Sequence, residues 1–292
     1  MPELPEVETV KRGLNKLIIG RKIKSSVSDN PKSFPNSKPD VDGFLVGAEV
    51  TGVRRRAKML MIDLSSKYSL VIHLKMTGQL VFVDNSSRFG AGHPSDSLVG
   101  SLPDKSTRVT FEFDDGSHLF FNDQRKFGWV KLMPTIEVEN IDFMRKVGPE
   151  PLEPDFTSEQ FVERFKRRAR TTIKAALLDQ SVIAGVGNIY ADEALWGAKI
   201  HPVRLVGAIT NTEFKKLYTE VRAVMNLSIE KGGSTNRNYV NAEGKKGSYM
   251  DFARVFRREG QSCPRCGATI IKIRVAGRGT HICPVCQQVG KG

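Results

Sequence analysis

The feature that most constrains this chain is a set of four cysteines confined to its last 30 residues. They read Cys263-x2-Cys266 and Cys283-x2-Cys286, with sixteen residues between the pairs. Two such knuckles can bring four thiolates to the corners of one tetrahedron, the geometry that Zn2+ prefers. Disulfide pairing is the alternative, and nothing else in the chain points to an oxidising compartment. One zinc ion held by all four sulfurs is therefore expected. A filled tetrahedron leaves no position for water or substrate, so the metal is structural and fixes a small hairpin.

The rest of the chain divides into a β-rich part and a helix-rich part, an α+β organisation. Residues 3–19 read as an amphipathic helix, with Leu4, Val7, Leu14, Leu17 and Ile18 at roughly helical spacing. β-type runs follow at 62–64, 70–74, 80–83, 107–113 and 117–121, the last two joined by the hairpin signal Asp114-Asp115-Gly116. Strands at this spacing suggest an antiparallel sandwich or barrel. Residues 84–106, rich in Ser, Gly, Pro and Asp, read as a long loop. Helical patterns then cover 158–169, 172–180, 188–197 and 211–231, with a two-glycine double turn at 181–188 and a polar loop at 232–247. The boundaries implied are a β domain at 1–133, a linker at 134–157, a helical domain at 158–255 and the cysteine finger at 256–292.

Charge narrows the partners. Lys plus Arg total 45 against 32 Asp plus Glu, a net +13, which favours association with polyanions. No apolar run approaches the ~20 residues of a membrane span, and the start lacks a basic-then-apolar leader. An intracellular nucleic-acid binder fits this balance, whereas a membrane partner does not.

The first residues carry chemistry. With Met1 removed, Pro2 presents a secondary amine, and an α-amino group titrates near ~8, so a fraction is neutral and nucleophilic at neutral pH. Glu3 stands beside it, placed for proton transfer. The same residues also suit a helix start, where proline and acids are favoured.

Taken together, these motifs make the chain resemble the formamidopyrimidine-DNA glycosylases, bacterial base-excision enzymes that remove oxidised purines. The resemblance rests on Pro2-Glu-Leu-Pro-Glu-Val-Glu8, Arg-Arg-Ala-Lys58, His73-Leu-Lys-Met-Thr-Gly78 and Asn122-Asp-Gln-Arg-Lys-Phe-Gly128. It continues through Gly148-Pro-Glu-Pro-Leu152, Gly185-Val-Gly-Asn-Ile-Tyr-Ala-Asp-Glu193 and the cysteine finger. It implies an N-terminal helix and antiparallel β-sandwich carrying the catalytic start, then a helical domain with a helix–two-turn–helix and a zinc hairpin. It further implies a bifunctional glycosylase and β,δ-lyase acting through an iminium at Pro2, with Glu3 shuttling protons, and a partner of double-stranded DNA holding oxidised bases or abasic sites. Lys58 would contact the phosphate beside the lesion, and Arg278, between Gly277 and Gly279, would clamp phosphates from the finger. Met76 would fill the space left by the extruded base, Arg125 would face the orphaned cytosine, and Phe127 would wedge into the stack. His73, Lys174 and Asn188 would be further phosphate or substrate contacts. Such an enzyme would act as a monomer in the bacterial cytoplasm, at the nucleoid.

The chain departs from the family pattern in two places. The 84–106 loop is longer than expected. After a lesion-capping segment resembling 233–247, Ser248-Tyr249-Met250 and Val255-Phe256-Arg257-Arg258 replace the usual Tyr-Phe and Val-Tyr-Gly-Arg. Two rivals stand beside the leading reading. One is a pyrimidine-lesion glycosylase of the endonuclease VIII type, although Leu4 occupies the position of that group's usual glycine. The other is a non-catalytic DNA-binding zinc protein.

Overall fold

A computed structural model describes residues 2–234 and 248–289. The lesion-capping segment expected at 233–247 lies outside them beyond its first two residues. The chain divides into two compact units, Met1–Arg145 with Lys231–Ser248, and Lys146–Glu230 with Tyr249–Gly292.

In the first unit, helix α1 (Leu4–Leu17) starts at a reciprocal capping box in which Glu6 Oε2 accepts from the Glu3 N–H at 2.8 Å. Val7, Val10, Leu14 and Ile18 form its apolar stripe and are fully buried. Strand β1 (Ile23–Ser28), helix α2 (Lys38–Phe44) and strands β2 (Val50–Arg56), β3 (Met59–Leu64), β4 (Tyr68–His73), β5 (Gly78–Val83), β6 (Arg88–Gly92), β7 (Thr107–Phe113), β8 (His118–Asp123) and β9 (Trp129–Pro134) follow. They form two antiparallel sheets, ordered β1-β7-β8-β5-β6 and β2-β3-β4-β9. Their facing side chains, among them Leu60, Ile62 and Ile72 opposite Phe82, Phe111 and Phe121, join the α1 stripe in one core. The α+β class and the sandwich are as expected.

Two asparagines close the edges of the four-stranded sheet. The Asn15 amide pairs with the Val53 N–H and C=O at 3.2 and 2.7 Å, and Asn36 does the same for Leu132 at 2.8 and 2.7 Å. Each side chain substitutes for a missing strand and blocks edge-to-edge pairing.

The 84–106 segment differs from the long loop expected. Its first part is strand β6, and Leu98 packs with Val81 and Phe120 on the outer face of the five-stranded sheet. Phe89 of β6 reaches α1 at Gly13, where any Cβ would collide with the ring. Glycine costs helix stability of about 1 kcal/mol there, offset by the buried phenyl ring.

A short helix α3 (Asp142–Lys146) leads to the second unit, which holds α4 (Ser158–Lys166), α5 (Ile173–Leu178), α6 (Asn188–Ala198), α7 (Asn211–Glu230) and the hairpin β10 (Ile271–Val275) and β11 (Arg278–Ile282). Phe161, Phe165 and Phe214 pack ring on ring between α4 and α7. Trp196, Val255 and Ile270 pack with Cys263 and Cys283 under the finger. Among the described residues, no helix is long and apolar enough to cross a membrane.

One ion pair fixes α1 on the sandwich. Glu8, 7% exposed, accepts from Arg55 of β2 at 2.9 Å and from Arg12 at 2.9 Å. Burial opposes ionisation, but the Arg55 and Arg12 guanidiniums overcome it and hold the Glu8 carboxyl at about 2, below its ordinary 4.5. A depressed carboxyl contributes its full stability above pH 4.5 and loses it as pH falls toward 2. Glu8→Gln should therefore cost about 2 kcal/mol at pH 7, somewhat less than the whole shift because water reaches the rim of the pair. Urea unfolding of both proteins should show this gap closing between pH 4.5 and 2.

Candidate active site and DNA-contact residues

The start of α1 buries the proposed nucleophile and its acid. Pro2 is buried and Glu3 is 2% exposed, with Glu3 as the residue that caps the helix. The helix-start reading of Glu3 holds: it is the N-cap of α1, with its N–H bound by Glu6. Glu6, 2% exposed, completes the cap with one oxygen, while its other oxygen accepts from the Ser234 N–H at 2.7 Å. The start of α1 and the root of the 233–247 segment therefore share one carboxylate.

Lys58 follows left-handed Ala57 (φ 53°) in the two-residue turn between β2 and β3. Arg55, already held by Glu8, also donates to the Ala57 carbonyl at 3.1 Å, so one guanidinium ties α1 to the turn that presents Lys58. Lys58 is 6% exposed, a buried lysine and not a surface cation. Next to it in the sheet, Met59 pairs with His73. Burial first, then the charges of Lys75 and Lys58, hold His73 down at about 3, so the ring is neutral at physiological pH. Its Nδ1 accepts from the Lys75 N–H at 3.0 Å, which puts the ring proton on Nε2, a donor suited to a phosphate oxygen.

The three expected base-replacement residues lie on two loops, not in the core. Met76 sits in the turn between β4 and β5, and Arg125 and Phe127 sit between β8 and β9. Phe127 is 54% exposed, and the Arg125 guanidinium lies over its ring at 4.9 Å.

In the second unit, Gln180 shapes the double turn by accepting from the Gly185 N–H at 2.9 Å and donating to the Val186 carbonyl at 2.8 Å. Helix α6 then begins at Gly187 with no side-chain cap, so its positive end suits an anion. Asn188 donates to the Gly279 carbonyl at 2.9 Å, beside Arg278 at the hairpin tip.

Lys174 corrects an expectation. Its side chain is 0% exposed, ion-paired with Asp192 and donating to Thr280 Oγ1 at 2.9 Å. Thr172 caps α5 so that Lys174 faces inward. It is therefore a tie between α5, α6 and β11 and not a surface phosphate contact. Asp192 also accepts from the His281 N–H at 2.9 Å, extending the tie along the hairpin.

The four cysteine sulfurs lie within 4.8 Å of one another, with 4.0 Å between Cys263 and Cys286 and 3.4 Å between Cys266 and Cys283. A tetrahedron of ~2.3 Å Zn–S bonds needs sulfurs about 3.8 Å apart. Burial and the neighbouring Cys266 thiol push Cys283 up to about 12. Burial also opposes ionisation of Cys263, but N–H groups of Arg265 and Trp196 outweigh it and bring that thiol down to about 6. Thiols this crowded need a cation among them to ionise together, and a structural zinc fits. Trp196, whose indole donates to Cys263 Sγ at 3.4 Å, is itself covered by Arg265 at 3.8 Å from the ring centre.

Comparison with known proteins gives the lineage. Residues 1–130 match the formamidopyrimidine-DNA glycosylase N-terminal domain, 147–240 its H2TH domain, and 260–289 the zinc finger found in FPG and IleRS. The formamidopyrimidine-DNA glycosylase of Streptococcus mutans is 40% identical over 289 residues, covering 99% of this chain and 100% of the relative. The chain belongs to the formamidopyrimidine-DNA glycosylase family. A Streptococcus pyogenes member is 42% identical over 293 residues, with 99% of both chains covered. Among solved structures, a Lactococcus lactis FPG mutant bound to DNA containing Fapy-dG aligns with a TM-score of 0.86 at 36% identity, over 98% of this chain and 100% of that one. The same organism's Fpg bound to DNA with an abasic site gives 0.85 at 36% identity, over 98% and 99%.

Glu6, Glu8 and Asp123, buried carboxylates that hold neighbouring residues, lie inside the motifs that carry the family resemblance, but the sequence reading assigns them no role. The spacing Glu3-x-x-Glu6 is a capping-box signal. Glu8 and Asp123 each have a partner close in sequence, Arg12 and Arg125, but the contacts that join separate elements, to Arg55 and Thr77, are 47 and 46 residues away.

Two outcomes are expected here. Metal analysis should find one zinc per chain, and chelation should weaken DNA binding while the β-sandwich unit keeps its folded circular-dichroism signal; unchanged affinity would refute the clamp. Asp192→Asn, which leaves Lys174 as a buried charge without its counter-ion, should destabilise by about 3–5 kcal/mol in denaturant titration.

Proposed function

We propose that this chain excises oxidised purines, 8-oxoguanine and formamidopyrimidines, from duplex DNA and then cleaves the abasic site, with Pro2 as the nucleophile. The observation that carries the reading is family membership along the whole chain with the Pro2-Glu3 start intact and buried. The Pro2 nitrogen bonds to C1′ as the glycosidic bond breaks; the base leaves with the bonding pair and takes up the proton the amine loses. Glu3 supplies a proton as the sugar ring opens. The resulting iminium is cationic, so the C2′ proton is lost readily and the 3′ phosphate departs. A second elimination releases the 5′ phosphate.

The remaining residues bind and open the duplex. Lys58 and the neutral His73 take phosphate oxygens beside the lesion, and the start of α6 with Asn188 takes another. Arg278 grips phosphate through its planar fork. Met76, Arg125 and Phe127 occupy the gap left by the extruded base. Lys174 acts at one remove, by fixing the hairpin that carries Arg278. The protein works as a monomer in the cytoplasm, at the nucleoid.

Borohydride trapping on a duplex with one 8-oxoguanine opposite cytosine tests the reading. A crosslink mapped to Pro2, abolished in Pro2→Gly while DNA binding persists, is the expected result. Trapping only on a thymine glycol duplex would move the enzyme to the pyrimidine-lesion class. Absence of any crosslink, on an abasic-site duplex as well, would leave a DNA-binding zinc protein.

A further inference from the structure

We infer that Asp123 is a positioning residue for strand opening, setting the two loops that carry Met76, Arg125 and Phe127 at one fixed offset. The inference rests on the gap-filling roles proposed for those three side chains.

Asp123 is the last residue of β8 and is 0% exposed. One carboxylate oxygen accepts from the Thr77 hydroxyl and from the Arg125 N–H at 3.2 Å; the other accepts from the Gly128 N–H at 2.6 Å. Thr77 itself accepts from the Arg125 N–H at 3.1 Å. The Met76 loop and the Arg125–Phe127 loop are thus joined through one buried anion, although they are 46 residues apart at the Thr77–Asp123 bond. The Asp123 main chain is equally engaged, donating to the Ser106 carbonyl at 2.7 Å and accepting from Arg108 Nε at 3.0 Å.

The loops need such an anchor. Lys75 (φ 49°) and Lys126 (φ 57°) are both left-handed, one beside Met76 and the other between Arg125 and Phe127. Conformations of this kind persist in non-glycine residues only where the surroundings over-determine them. Gly128 sits so close to Phe121 and the His73 carbonyl that a Cβ there would lie 2.8 and 3.0 Å from them. Its N–H can reach Asp123 only because it has no side chain. The tips, by contrast, are open, with Phe127 54% exposed. Exposed tips on a buried charged root form a device that can press into a base stack without its own backbone yielding. A carboxylate suits the root because it only accepts, and every partner donates. An asparagine of the same size would turn an N–H toward one of those donors.

The test separates opening from chemistry. Asp123→Asn and Thr77→Val are compared with Met76→Ala and Arg125→Ala, each confirmed folded by thermal melting. Asp123→Asn should trap on an abasic-site duplex within about twofold of the parent, while single-turnover excision of 8-oxoguanine opposite cytosine falls by about tenfold or more. Discrimination between cytosine and adenine opposite the lesion should narrow, because Arg125 no longer holds its place. Thr77→Val, which removes only the cross-loop hydroxyl, should show the same pattern more weakly and decides the matter if Asp123→Asn fails to fold. Equal losses in trapping and excision, or parental excision and discrimination in a folded variant, would overturn the inference. If Met76→Ala and Arg125→Ala themselves leave excision unchanged, the gap-filling reading fails and this inference falls with it. If those two impair excision and Asp123→Asn does not, the inference alone fails.

Discussion

The buried pair of Glu8 and Arg55 is the interaction on which the first unit's site depends. Two charges removed from water gain little net stability, but losing either partner leaves the other stranded, and that makes the arrangement specific. Val7, Val10 and Leu14 set the buried face of α1, while Phe89 against Gly13, Asn15 on Val53 and the Glu8–Arg55 pair set its register. The charged contact is the directional one among them that also reaches the Lys58 turn. Arg55 also holds the Ala57 carbonyl, so helix start and hairpin turn move as one body. Pro2 and Glu3 lead into the helix of this body, and Lys58 sits in its turn.

The second unit uses the same physics for another end. Its finger has a small core, and a hairpin of five-residue strands cannot bury enough apolar surface to stand alone. Zinc supplies part of what is missing, and the Lys174–Asp192 pair supplies the rest by fastening β11 to the helices. Asp192 reaches the backbone of His281, and Asn188 reaches that of Gly279. The guanidinium at Arg278 is therefore carried on a strand held at Gly279 and His281, which would lower the entropy lost in the phosphate contact proposed for it.

Local signals are legible in the sequence, and long-range ones are not. The α1 stripe, the Asp114-Asp115-Gly116 hairpin and the cysteine spacing each depend on residues a few positions apart, and each appears where expected. Strand β1 escapes a pattern reading because Lys24, Ser25 and Ser26 break the apolar alternation on a strand paired along only one side. Strand β6 is hidden by its glycines, which read as loop until Phe89 is seen against Gly13. The burial of Lys174 depends on Asp192 and Thr280, 18 and 106 residues away, and lysine by itself suggests solvent. The motif residues are visible as a pattern, but not the long-range contacts that Glu8 and Asp123 make within them.

The stacking of Arg125 on Phe127 has an energetic side. In the free protein the ring already has a partner over one face, worth about 0.5–1 kcal/mol at an exposed site. In the wedge role proposed for Phe127, entering DNA means giving up that cover. An intact stack resists entry, and the exchange runs uphill; a step already weakened by damage opens at lower cost. In the proposed wedge role the sheathed ring would act as a threshold, sparing sound duplex and yielding where the stack is weak.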